Sequence, residues 1–183
     1  WGPADKVKQI DSEITLTNTY GKPNSDSAVS FFTAANFLSY GNNLSIVRSV
    51  GALANNATDG STLNVQIKNE DVYESTYLNT NNGNNYGPFA ARYAGVLGNS
   101  ITVAVCANNQ TYSTWAYKNY FTSAPGTSDF ADSVNGVKDE MHIVVIDEDG
   151  LFTGSAGSIL ETYGFVSAAS DAVINGVTNY YKQ

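Results

Sequence analysis

Apolar positions recur along this chain with two periods, and the places where the period changes mark out its elements. From Ser27 to Tyr40, Phe31, Ala34, Ala35 and Leu38 fall at helical spacing, Phe32 lies beside that stripe, and Gly41 follows. That spacing predicts a helix over about 27–40, capped by Asp26 or Ser27. A shorter helix is expected over 12–20. Ser12 is a good N-cap, Glu13 suits the first turn, Ile14, Leu16 and Tyr20 supply apolar contacts, and Gly21 supplies a left-handed C-cap. Period-two or continuous apolar runs predict strands at 7–10, 44–50, 63–67, 101–106 and 142–147, with 151–153 and then 158–167 returning antiparallel, irregular at Gly154 and Gly157. "MHIVVI" is apolar on both alternating faces, which suits a central strand covered on both sides.

Strand, helices, then strand within the first fifty residues suggests an α/β layer. The expected class is α/β (α+β), a mixed β-sheet core covered by helices, with loop-rich insertions. Residues 51–87 break the pattern with "ANNATDGST" and "LNTNNGNNYG", Asn- and Gly-rich loops that read as a surface insertion around the polar segment "NEDVYESTY". Residues 107–140 form a second excursion carrying Tyr112, Trp115, Tyr117, Tyr120, Phe121 and Phe130. Aromatics of this kind either pack a long loop onto the core or present a stacking face to sugars, and the first reading is preferred. Residues 1–183 are taken as one domain.

The stretch with the most apparent chemistry is "VVIDEDGLFTG", 144–154, where Asp147, Glu148 and Asp149 precede Gly150. An EF-hand loop requires glycine at its sixth position and glutamate at its twelfth. Counted from Asp147, the sixth residue is Phe152 and the twelfth is Ser158, so that reading fails. Asp-Gly between apolar runs is instead a hairpin signal, with Gly150 taking positive φ and the carboxylates left in solvent.

His142, the single histidine, opens a strand without a nucleophile-elbow pattern and reads as structural. Cys106, the single cysteine, precludes an internal disulfide and reads as a small buried hydrophobe. There is no glycine-rich phosphate loop and no Cys/His metal spacing. A pair of carboxylates for glycoside hydrolysis would meet only in the fold, and nothing in the sequence points to one. No residue is assigned a catalytic, cofactor or metal role, and the reading is of a non-enzyme. Three N-x-S/T sequons, at Asn43, Asn56 and Asn109, are expected by chance in so Asn-rich a chain.

Charge narrows the partners. Nine basic against seventeen acidic residues leave a net charge of −8, with no Lys/Arg cluster to neutralise phosphates. Nucleic acid is therefore excluded as a partner, and so is an anionic membrane surface. The apolar runs are strand-sized, too short to insert as a spanning helix. A start at "WGPADK" without an initiator Met, and a finish where Thr178 is placed to cap a new helix, lead to the expectation of a piece of a longer polypeptide.

Four segments, in order, resemble the tail sheath proteins of contractile-tail phages: "WGPADKVKQIDSEITLTNTYGKPN", "FFTAANFLSYGNNLSIVRSVG", "FAARYAGVLGNSITVAV", and "IVVIDEDGLFTG" continuing through "ILETYGFVS" to "TNYYK". Ala94 stands where the family usually has proline. The resemblance implies a structural subunit with an α/β core, stacked in rings around a tail tube and sliding during contraction. It implies neighbouring sheath subunits, the tube protein and the baseplate as partners, a place in the virion, and host cytoplasm during assembly. No cofactor is implied. Because such subunits join through terminal arms that add strands to neighbours, residues 1–183 alone are expected to stay monomeric. The alternative from another class is a secreted carbohydrate-binding or adhesin domain built on the aromatic and Asn-rich loops.

Overall fold

In the computed structural model, residues 1–59, 65–78, 89–107 and 109–182 are described. They form two compact units, Trp1–Asn99 and Ser100–Gln183. Both mix helix with antiparallel sheet, in agreement with the α+β class expected. Five of the six predicted strands form, and they do not share one sheet. Two pair in the first unit and three in the second.

In the first unit, β1 (Val7–Ile10) pairs antiparallel with β2 (Leu44–Val47), Val7 opposite Val47 and Ile10 opposite Leu44. Two helices intervene, α1 (Glu13–Tyr20) and α2 (Ala28–Leu38). Ile10, Leu16 and Phe31 form the core between them, with Tyr20, Ala34, Ala35, Leu38, Leu44 and Ile46 packed around it. The α2 stripe read from the sequence is thus the buried one, while Phe32 beside it is exposed.

Ser12 caps α1 as expected, accepting from the Thr15 N–H at 3.2 Å. Gly21 ends the helix at φ 86°, but its ψ of 173° lies outside the left-handed helical region. For α2 the expected cap is corrected: neither Asp26 nor Ser27 makes a side-chain cap. The Asn24 Oδ1 instead accepts from the Asp26 N–H at 3.1 Å, the Ser27 N–H at 3.0 Å and the Ser27 hydroxyl at 2.9 Å. This turn organises the entry from a residue ahead of both candidates, and Asn suits it because its side chain mimics a backbone carbonyl.

Beyond β2, side chains that bond to main chain hold the irregular segments. Asn56, buried, donates to the Ile67 and Ala91 carbonyls and accepts from the Ile67 N–H. Arg48 donates to the carbonyls of Gly2 and Ala94 at 3.0 and 2.8 Å. Of the strand expected at 63–67, residues 63 and 64 lie outside the described residues. Val65 and Ile67 are buried but belong to no named strand. The ambiguous polar segment becomes α3 (Glu70–Val72), running into a π-helical turn at Tyr73–Tyr77.

In the second unit, β3 (Ile101–Cys106), β4 (Glu140–Asp147) and β5 (Ser158–Ser167) form an antiparallel sheet with β4 central. Met141, His142, Ile143, Val144 and Ile146 of β4 are all buried, as its two-faced apolar pattern requires. The connection from β3 to β4 carries α4 (Asn109–Tyr112) and α5 (Asp129–Ser133). After β5 comes a small ribbon, β6 (Val173–Ile174) and β7 (Val177–Thr178). Thr178 therefore ends a strand and caps no helix among the described residues.

Candidate functional site

The chemistry-bearing residues of the second unit gather at the ends of β4. At its C-terminal end, the acidic stretch is not a two-residue turn. Strand β4 stops at Asp147 and its antiparallel partner β5 begins at Ser158, so residues 148–157 make a long loop, and 151–153, expected as strand, belong to it. Glu148 and Asp149 are exposed as expected, but Asp147 has no exposed surface, contrary to a solvated acidic turn.

Four donors enclose the Asp147 carboxylate. Its Oδ1 accepts from the Ser100 hydroxyl at 2.6 Å. Its Oδ2 accepts from the N–H groups of Phe152 and Thr153 at 3.0 and 2.8 Å and from the Thr153 hydroxyl at 2.9 Å. Burial by itself raises this carboxyl's pKa. The bonds from Ser100, Thr153 and Phe152 outweigh that effect and hold it below the ordinary aspartate value. Ser100 also receives the Asp149 N–H at 3.2 Å, and its carbonyl accepts from the Glu148 N–H at 2.7 Å.

Gly150 does take the positive φ expected of it, at 74°. It also meets a steric demand the sequence hides, since a Cβ there would lie 2.6 Å from the Ala156 nitrogen and 2.8 Å from the Ser155 carbonyl carbon. With both carboxylate oxygens already accepting from protein donors, Asp147 acts as a loop clamp. No group of three His, Cys, Asp or Glu side chains able to hold a metal occurs among the described residues.

The opposite end of β4 repeats this logic. Asp139, just before the strand, accepts from the Ser128 N–H at 2.7 Å, the Ser128 hydroxyl at 2.6 Å and the Ser167 hydroxyl. Ser128 in turn caps α5 by accepting from the Ala131 N–H at 3.2 Å. Burial pushes the Asp139 pKa up, and these bonds pull it down further, so the net direction is downward. Sequence reasoning missed Asp139, Ser100, Ser128 and Thr153. Their spacing carries no motif, because Ser100 and Ser167 reach the acids from far along the chain, and Ser128 and Thr153 only where a loop folds back.

His142 lies between these clamps, fully buried. Its ring stacks on Phe121 at 4.1 Å between centroids and 1° between planes, and Phe165 meets it edge-on at 4.6 Å. Trp115 and Tyr112 complete the surround. Nδ1 accepts from the Phe165 N–H at 3.1 Å, which assigns the ring proton to Nε2, where it is donated to the Ser123 carbonyl at 2.8 Å. A shift in the β4–β5 register opposite His142 and a φ of 58° at Phe165 bring that N–H to the ring. With both nitrogens engaged by main-chain groups, this imidazole anchors the loop before β4. Trp115 and Phe121, candidates for sugar stacking on sequence alone, stack on one another and on the histidine. Cys106 is buried, with the Thr111 hydroxyl 3.8 Å from its sulfur.

These geometries are those of a protein that fixes its own loops. Over 160 residues, 87% of the chain, it is 32% identical to the tail sheath protein of Salmonella phage ViI. The chain belongs with the phage tail sheath proteins. It is also 50% identical over 50 residues to the tail sheath protein of Enterobacteria phage T4, and 51% over 59 residues to that of Vibrio phage KVP40. Those matches cover 27% and 32% of the chain. This sheath sequence spans 23% of the length of the Salmonella phage protein, and its matches span 8% and 9% of the other two. No protein-family model and no solved structure matches it.

Proposed function

We propose that this chain is part of a structural subunit of a contractile phage tail sheath, a protein that surrounds the tail tube and shortens to drive it through the host envelope. The similarity to a tail sheath protein over 87% of the chain carries the reading. The clamps at both ends of β4 suit a load-bearing part, because each loop they hold is tied by several hydrogen bonds to buried or half-buried carboxylates. Neighbouring sheath subunits, the tube and the baseplate are the partners this function requires. No catalytic step enters it. The carbohydrate-binding alternative loses support, since Tyr112, Trp115 and Phe121, three of the aromatics that suggested it, pack around His142.

Antibodies raised against residues 1–183 provide the test. On intact virions they should label the tail along its length, in both extended and contracted particles, when viewed by electron microscopy. Label confined to fibres or to the particle tip would overturn the proposal. Residues 1–183 alone, at a net charge of −8, should scatter light as a monomer at low salt. Rings or tubes formed by this piece would show that its own surface carries the assembly contacts.

A further inference from the structure

The chain contains three Asn-Gly dipeptides, at Asn82, Asn135 and Asn175, the first of which lies outside the described residues. The other two have the same chemistry but very different surroundings. Asn135 follows α5 with φ 59°, and the Gly136 N–H donates to the Ala131 carbonyl at 2.7 Å. A Cβ on Gly136 would lie 3.1 Å from that carbonyl oxygen, so the glycine is tied down and crowded by the end of the helix.

Asn175 and Gly176 form the two-residue turn between β6 and β7, with φ 52° and 80°, as a type I′ hairpin requires. Both residues are exposed, and nothing approaches within 4 Å of a Cβ built on Gly176. Among the described residues, the Gly176 N–H donates no hydrogen bond. The ribbon has two residues in each strand, and Val173, Ile174 and Val177 are all about half exposed or more. A two-stranded ribbon so short holds its turn weakly and opens locally at little cost.

We propose that Asn175 is a spontaneous modification site, deamidating through a succinimide, while Asn135 is protected by the fold. In the first step the Gly176 amide nitrogen attacks Asn175 Cγ. The N–Cγ bond forms, the Cγ–Nδ2 bond breaks, and ammonia leaves with the proton from the Gly176 nitrogen. Water then opens the five-membered imide at either carbonyl, leaving aspartate or isoaspartate. No electrons are transferred. For Gly136 the same attack first requires the bond to the Ala131 carbonyl to break.

The product alters the ribbon that anchors the end of β5. Isoaspartate adds a methylene to the main chain, and a two-residue turn no longer closes in register. Asn179, just beyond β7, donates its side-chain amide to the Phe165 carbonyl at 2.7 Å, and its carbonyl accepts from the Ser167 N–H at 2.8 Å. Modification at the turn therefore reaches the strand that carries the His142 contact.

Tryptic peptide mapping separates the sites, because Asn135 falls in peptide 119–138, Asn175 in 139–182 and Asn82 in 69–92. The folded chain is aged at mildly alkaline pH, beside a sample unfolded in urea. In the folded sample, Asn175 should gain one mass unit at least about tenfold faster than Asn135, reflecting their different local opening. In urea the two rates should converge. Tandem fragmentation places the change, and Asn175→Gln should abolish it. Equal rates in the folded sample, a faster Asn135, or equal suppression of both sites by folding would each overturn the proposal.

Discussion

The Ser100 hydroxyl donates to the Asp147 carboxylate at 2.6 Å, tying the residue before β3 to the last residue of β4. Ser100 and Asp147 are both without exposed surface, so this bond works where water does not compete. Because Asp147 also holds Phe152 and Thr153, its removal frees donors on two segments together. Asp147→Ala should cost about 1–3 kcal/mol or more, the range for stranding buried donors. Urea unfolding checks this, with faster amide exchange at residues 148–157 as the local signature. Ser100→Ala, which removes one donor of four, should cost less.

Stability should fall in acid, and the sign follows from the direction of the shifts. Asp147 and Asp139 both have folded pKa values below the ordinary aspartate value, so the unfolded chain takes up protons first as pH drops. Their contribution is complete above the unfolded value of about 4 and is lost as pH falls through the folded values. Thermal unfolding followed across that range should show a plateau near neutrality and a decline below about pH 4. In Asp147→Asn the plateau should be lower and the acid decline shallower. An unchanged acid limb in that variant would place the titration elsewhere.

Gly150 and Gly157 make a matched pair. Both have positive φ, at 74° and 77°, but a Cβ on Gly150 would strike the backbone of Ser155 and Ala156 while one on Gly157 meets nothing within 4 Å. Gly157→Ala should cost about 1 kcal/mol from backbone strain alone. Gly150→Ala should cost clearly more, and Gly150→Val more again. Equal losses from both alanine variants, measured by chemical denaturation, would remove the steric part of this account.

His142→Phe separates stacking from hydrogen bonding. The substituted ring retains contact with Phe121 but leaves the Phe165 N–H and the Ser123 carbonyl without their partner. A loss of about 1 kcal/mol is expected, from two partly buried polar groups left without their partner. Trp115 fluorescence reports on the same cluster, and His142→Ala should change it more strongly because the stack is lost as well.

Asn56 lies in a sequon, yet its side chain is buried and bonded to Ile67 and Ala91. It should remain unmodified when the folded chain is offered to a glycosylating extract, whereas the exposed Asn43 is open to the enzyme. Asn56→Ala should destabilise the first unit by about 2 kcal/mol, since it strands buried main-chain groups.

What the sequence determined by itself was local. The α2 stripe, the Ser12 cap, the extent of β3, and the buried character of β4 follow from spacings of a few residues, which backbone geometry turns directly into faces. The ordered family segments were legible for the same reason, as runs of contiguous residues. Which strand pairs with which was decided by the tertiary structure, because an apolar run carries no mark of its partner, and the expected single sheet became two. The same holds for Asp147. Next to Glu148 and Asp149 it looks like one of three solvated acids, and only the fold brings Ser100 and Thr153 to its oxygens. A carboxylate stays buried only where donors replace its water, and here Ser100 from far along the chain and a loop folded back over Asp147 supply them.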